Sequence, residues 1–118
     1  TGYFLEPTIF ADVDNRLKIA QEEIFGPVVT VTPYDDLDEA IRIANDSDYG
    51  LAAMITGTDQ VKAVEIARQL RTGNVWINQG GNIGNAPFGG FKLSGLGREG
   101  GLWGMREFTE VQHVVWRS

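Results

Sequence analysis

The chain has 118 residues, a formal net charge of −6 and no cysteine, which suits one soluble domain. Without cysteine there is no disulfide, thiolate metal site or cysteine nucleophile, and the single histidine, His113, leaves no Cys/His cluster for zinc. No run of lysine and arginine forms a nucleic-acid footprint, and no apolar stretch approaches the roughly 18 residues that span a bilayer.

In chain order, Tyr3 to Phe10 (YFLEPTIF) is aromatic and β-branched with one proline, the composition of an edge strand. Asp12 to Glu23 carries Leu17, Ile19 and Ala20 behind an Asp/Asn start, which predicts a short helix. The β-branched run in GPVVTVTPY, from Gly26, predicts a strand. Asp36 precedes Glu39 by three residues as in a capping box. Leu37, Ala40, Ile41 and Ala44 then fall at i, i+3, i+4 and i+7, one face of a helix.

YGLAAMITGT predicts a short strand, and Thr58 or Asp59 is placed to cap the next helix. There Ala63, Ala67 and Leu70 share a face, with Gly73 where a helix-ending glycine belongs. NVWIN is a further strand. A glycine-rich stretch then runs from Gln79 to Glu99; a long segment without regular structure in a compact domain is usually functional or disordered, and Ile83, Phe88, Phe91 and Leu93 argue against disorder. A short helix over Gly101 to Phe108 and a strand over Val111 to Trp116 close the chain. Strands alternating with helices predict an α/β fold with a mostly parallel sheet flanked by helices, a long glycine-rich loop and a C-terminal edge strand.

Gly95-Leu-Gly97-Arg-Glu-Gly100 satisfies the dinucleotide pattern G-x-G-x-x-G by letter. The fingerprint also needs a buried strand before it, a helix after it and an acidic residue about 20 positions on to hold the ribose. Phe91-Lys-Leu-Ser94 is no buried strand, and only 18 residues follow Gly100. The match is therefore read as fortuitous. Asn45-Asp-Ser47 is likewise read as a chance glycosylation sequon, because no secretory signal accompanies it.

Five ordered motifs are specific together. Gly2-Tyr-Phe-Leu-Glu-Pro-Thr8, Gln21-Glu-Glu-Ile-Phe-Gly-Pro-Val28, NDSDYGL from Asn45, GNVWIN from Gly73 and PFGGFKLSGLGREGG from Pro87 resemble the C-terminal quarter of the aldehyde dehydrogenase superfamily. FTEVQHVVW from Phe108 is similar to that family's terminal strand. The resemblance implies residues 1–108 as the end of a catalytic domain and 109–118 as an oligomerisation strand. It also implies a longer enzyme in which a cysteine thiolate adds to an aldehyde, hydride passes to NAD or NADP, and activated water hydrolyses the thioester. This chain has neither that cysteine nor, on the resemblance, the general-base glutamate. It is expected to be catalytically inactive alone and to bind the cofactor weakly or not at all.

The resemblance assigns roles residue by residue. Glu23 matches the glutamate that holds the nicotinamide ribose, and its two acceptor oxygens suit a diol; Phe25 would set an aromatic face beside the nicotinamide. The alternative makes Glu22 and Glu23 a solvated helix end and Phe25 a core residue, and Glu22 stays in that class. Phe88 matches an aromatic lining the substrate tunnel, against an ordinary buried phenylalanine. Ile83 lies in the loop that shapes the aldehyde pocket, and Asn78 either points an amide there or simply forms a turn.

Arg98 and Glu99 fall near subunit contacts, against a structural ion pair or solvated loop. Val111, His113 and Val115 belong to the strand expected to pair with a second subunit in a homo-oligomer, dimer or tetramer. No metal, nucleic acid or membrane partner is expected, and the location is read as cytoplasmic. The competing functions are a stand-alone, non-catalytic α/β module that binds partners or oligomerises, and an independent nucleotide binder.

Overall fold

The structure, a computed structural model, describes residues 2–81 and 83–118. It divides into two compact units, Thr1–Asp48 and Tyr49–Ser118.

In the first unit, β1 (Thr8–Phe10) and β2 (Val28–Thr30) pair in parallel, with Thr8 opposite Val28 and Phe10 opposite Thr30. Parallel neighbours need a crossover of about a dozen residues or more, and residues 11–27 supply it. That crossover holds only one helical turn, α1 (Lys18–Gln21), preceded by Leu17 without a side-chain cap. The predicted helix is therefore shorter than Asp12–Glu23. Asp14 spends its carboxylate on Arg16 instead of capping α1. The first strand is also shorter than Tyr3–Phe10, because ladder pairing begins only at Thr8.

α2 (Leu37–Asn45) starts as its spacing predicts. Asp36 Oδ1 accepts from the Glu39 N–H at 2.8 Å, and Glu39 Oε2 accepts from the Asp35 N–H at 2.8 Å. Two otherwise unpaired donors at the helix start are thereby satisfied.

In the second unit, the predicted YGLAAMITGT strand is two strands, β3 (Tyr49–Gly50) and β4 (Ala52–Ile55). β4, α3 (Gln60–Ala67) and β5 (Asn74–Ile77) form a β-α-β unit whose strands are parallel, Ala53 facing Val75 and Ile55 facing Ile77. Asp59 caps α3, its Oδ1 accepting from the Lys62 N–H at 3.0 Å. β3 pairs antiparallel with β6 (Phe91–Lys92), and α4 (Gly101–Arg106) follows.

One expectation is corrected here. α3 ends at Ala67, so Gly73 is not its stop signal. A Cβ at Gly73 would lie 1.7 Å from the Gly89 carbonyl oxygen, so glycine is required for the close approach of two backbones. Val111 to Trp116 has no ladder partner among the described residues, as expected of a strand whose partner would lie in a second subunit.

Little of the chain is buried. Among the described residues Val13 (6% exposed) and Ala63 (3%) are the buried hydrophobics, while Tyr3, Phe25, Leu96, Phe108 and Trp116 lie almost fully open. Two separate globular bodies sharing 13.0 kDa would together expose roughly 7,600 Å², by the scaling of surface with mass. The chain exposes 10058 Å². The excess does not depend on how the two units are arranged. No helix among the described residues is long and apolar enough to cross a membrane.

Candidate functional site

The first cluster follows α1. Glu22 closes the helical turn, its N–H donating to the Lys18 carbonyl at 2.9 Å and its carboxylate standing 3.4 Å from Lys18 Nζ. Glu23 is different. It is exposed and makes no hydrogen bond or ion pair among the described residues.

Phe25 has φ of 50°, in the left-handed region, where an ordinary residue crowds its own carbonyl at a cost of about 1–2 kcal/mol. Gly26-Pro27 completes the turn, with the Val28 N–H donating to the Gly26 carbonyl at 2.7 Å. The Phe25 ring ends 92% exposed, so within this chain it is no core residue. Glu22, Glu23, Phe25 and Thr30 line one concavity of about 360 Å³. A carboxylate and an exposed aromatic face on one concavity can accept hydrogen bonds from a pair of hydroxyls and lie against a planar ring.

The second cluster is the glycine-rich loop. Phe88 and Glu99 exchange backbone hydrogen bonds of 2.7 and 2.8 Å, closing the loop into a bridge. Arg98 is half-buried and works within the loop, Nη1 donating to the carbonyls of Gly97 (2.6 Å) and Gly90 (3.0 Å). Its guanidinium also lies 5.4 Å from the Phe91 ring centroid, and Arg71 lies 5.1 Å from the same ring. Phe88, Arg98 and Glu99 share the lining of a concavity of about 430 Å³ with Leu51 and Glu107.

Asn78 follows β5 with φ of 63°, a conformation asparagine tolerates better than most residues. Its Oδ1 accepts from the Gly57 N–H at 2.9 Å, so that atom fastens the ends of β4 and β5 together. It also borders a separate concavity of about 320 Å³ with Gln60, Val64, Ile77 and Gln79. Ile83 is exposed in a turn where its carbonyl accepts from the Ala86 N–H at 2.7 Å. Val111 is 100% exposed, and His113 and Val115 are exposed with it.

The glycine pattern is not followed as a phosphate site requires. β6 before it is antiparallel and two residues long, and α4 after it has six residues. A Cβ at Gly97 would lie 3.2 Å from a Glu107 carboxylate oxygen. Negative charge there opposes an anion. Among the described residues no group of three or more His, Cys, Asp and Glu is placed to hold a metal.

Residues 1–114 match the sequence profile of the aldehyde dehydrogenase family. The chain belongs to that family. It is 54% identical over 115 residues to an aldehyde dehydrogenase homologue of Staphylococcus haemolyticus, covering 98% of this chain and 24% of that one. It therefore spans about a quarter of the length of the curated relatives it matches.

Its fold superposes on a Mycobacterium tuberculosis aldehyde dehydrogenase complexed with NAD⁺ at a TM-score of 0.89 and 53% identity, covering 92% of this chain and 23% of that one. Aldehyde dehydrogenase C of Pseudomonas syringae, in a mutant form complexed with NAD⁺ and octanal, gives a TM-score of 0.88 at 47% identity and covers 92% and 22%. The α/β fold with parallel strand pairs is thus that of the aldehyde dehydrogenases.

Sequence reasoning missed the Arg71–Phe91–Arg98 stack and the amides of Asn15 and Gln21 in the first unit. Both amides reach Asp46 across more than 20 positions of chain, and the stack depends on where a ring lies, so neither leaves a local spacing to read.

Proposed function

We propose that this segment is the C-terminal part of an NAD(P)⁺-dependent aldehyde dehydrogenase and supplies its nicotinamide-ribose contact. In that role Glu23 accepts hydrogen bonds from the ribose hydroxyls, and the Phe25 ring limits where the nicotinamide can lie. The cofactor, when bound, supplies the hydride acceptor for aldehyde oxidation. Phe88, Ile83 and Asn78 contribute to the wall of the aldehyde pocket, and a cytoplasmic location goes with this reading.

Val111, His113 and Val115 serve as the strand that pairs with a second subunit, with Arg98 and Glu99 beneath that contact. Exposed apolar side chains along 111–116 support this, since an unpaired apolar edge is a liability unless it is covered. The open surface of the chain likewise supports burial against a larger body.

The observation that carries the proposal is the Glu23 carboxylate, unpartnered among the described residues, on one concavity with Phe25, an aromatic held outward on left-handed backbone. In the complete polypeptide, Glu23→Gln is expected to weaken NAD⁺ binding on the order of 10- to 100-fold, since hydrogen bonds to a charged acceptor are the stronger kind. Calorimetric titration measures it, and an unchanged affinity overturns the ribose assignment. The purified 118-residue chain is expected to oxidise no aldehyde. Reduced cofactor accumulating with aldehyde present would refute that.

A further inference from the structure

Glu23 has no partner among the described residues, so the backbone leading to it decides where its carboxylate lies. That backbone is α1, a single turn of four residues with no side-chain cap and no buried residue. A lone helical turn has no stability of its own, because nucleation costs more than one turn returns. Something outside the turn has to hold it.

The holding contacts are side-chain amides. Gln21 Nε2 donates to the Asn15 carbonyl at 2.7 Å and to the Asp46 carbonyl at 2.9 Å, which uses both of its N–H groups. Asn15 Nδ2 donates to the same Asp46 carbonyl at 3.0 Å and to Asp46 Oδ2 at 3.1 Å. Asp46 closes the C-terminus of α2, its N–H donating to the carbonyls of Arg42 and Ile43 at 3.0 and 3.1 Å. The capped nine-residue α2 is thus the anchor, Asp46 its attachment point, and Gln21 the last side chain before Glu23 that hydrogen-bonds to it.

We infer that Gln21, braced by Asn15 and the Asp46 carbonyl, is a positioning residue for the Glu23 carboxylate. This rests on the reading of Glu23 as a ribose contact. Gln21 is not among the residues lining the Glu23 concavity; it sets the direction in which the chain leaves α1, and the Glu23 carboxylate inherits that direction. Asn15 contributes through the same carbonyl and is the weaker strut.

The test is a double-mutant cycle in the complete polypeptide, read as the NAD⁺ dissociation constant by calorimetry together with the melting temperature. Gln21→Met keeps the side-chain length and removes both donors. It is expected to raise Kd on the order of fivefold, the size of one ordinary net hydrogen bond. In the Glu23→Gln background the same change should have no further effect, because the group it positions has lost its function.

A merely structural role gives additive losses in the two backgrounds and overturns the inference, as does an unchanged Kd in Gln21→Met. If Glu23→Gln alone leaves Kd unchanged, the ribose assignment itself is wrong and this inference falls with it. If Glu23→Gln weakens binding and Gln21→Met does not, only the positioning role is lost. Should Gln21→Met fold poorly, Asn15→Ala removes one strut while sparing both Gln21 bonds. Its expected rise in Kd is about twofold and must likewise vanish in the Glu23→Gln background; persistence there overturns the inference.

Discussion

The turn that carries Glu23 and the loop that carries Phe88 hold their shapes by different means. The first is tied by neutral side-chain amides at its margin, each one hydrogen bond among several. The second is tied by backbone pressed on backbone and by one arginine spanning two carbonyls. A turn held by separate amides loosens in steps when they are removed singly. A loop held by close backbone approach has no room to adjust, so one added atom displaces all of it.

The largest test of that difference is a methyl group. Gly73→Ala places a Cβ 1.7 Å from the Gly89 oxygen, against backbone that cannot rotate away as a side chain can. It is expected to destabilise the complete polypeptide by more than about 3 kcal/mol in denaturant unfolding, in the range reserved for overpacking and backbone conflict. Gly57→Ala meets nothing within 4 Å and keeps the N–H that Asn78 accepts. Its effect should lie within about 0.5 kcal/mol. Equal effects at the two glycines would remove the distinction between the regions.

Next in size is Arg98. Arg98→Met deletes both carbonyl bonds and the stack on Phe91, for an expected loss of about 2 kcal/mol. Arg98→Lys should recover less than half of it, since an ammonium cannot lie flat over the Phe91 ring as a planar guanidinium does. Full recovery by lysine would mean that charge alone is at work. Below these come the helix caps: Asp36→Ala and Asp59→Ala should each cost about 1 kcal/mol in the same measurement.

Those caps were legible in the sequence because a cap is local. Asp36 and Glu39 find each other over three residues, and so do Asp59 and Lys62, whatever the rest of the chain does. The parallel β4–α3–β5 unit was legible for a similar reason, two apolar runs flanking one helical period. At Gly73 a helix stop and a close approach ask for the same residue, and only the position of Gly89 decides between them. The terminal strand over 111–116 could not appear, since its apolar pattern specifies a strand but not the ladder partner.

In the site, Glu23 and Phe25 stood out through their motif, while Gln21 in the same motif did not. Its partners, Asn15 and Asp46, are brought to it by a turn and by α2, so its role belongs to tertiary structure. Arg98 was singled out as a subunit contact, and its bonds in this chain run inward to its own loop.

The smallest expected effect concerns the turn before α1. Asp14 accepts from the Arg16 backbone N–H at 2.9 Å and from Arg16 Nε at 3.0 and 3.1 Å. Chiefly through the side-chain bonds, then the backbone bond, Arg16 lowers the Asp14 pKa from 3.8 to about 2, slightly opposed by desolvation. A carboxylate with a depressed folded pKa stabilises the fold above its unfolded value. That contribution is complete above 3.8 and fades as the pH falls from there to about 2. Both side chains are exposed, so solvent and salt screen the interaction and its share of stability is small. The titration midpoint is the better readout. Carboxyl-carbon NMR of the complete polypeptide should place Asp14 near 2, and Arg16→Gln should return it towards 3.8. A midpoint unmoved by Arg16→Gln would show that the Asp14–Arg16 fork does not persist in solution.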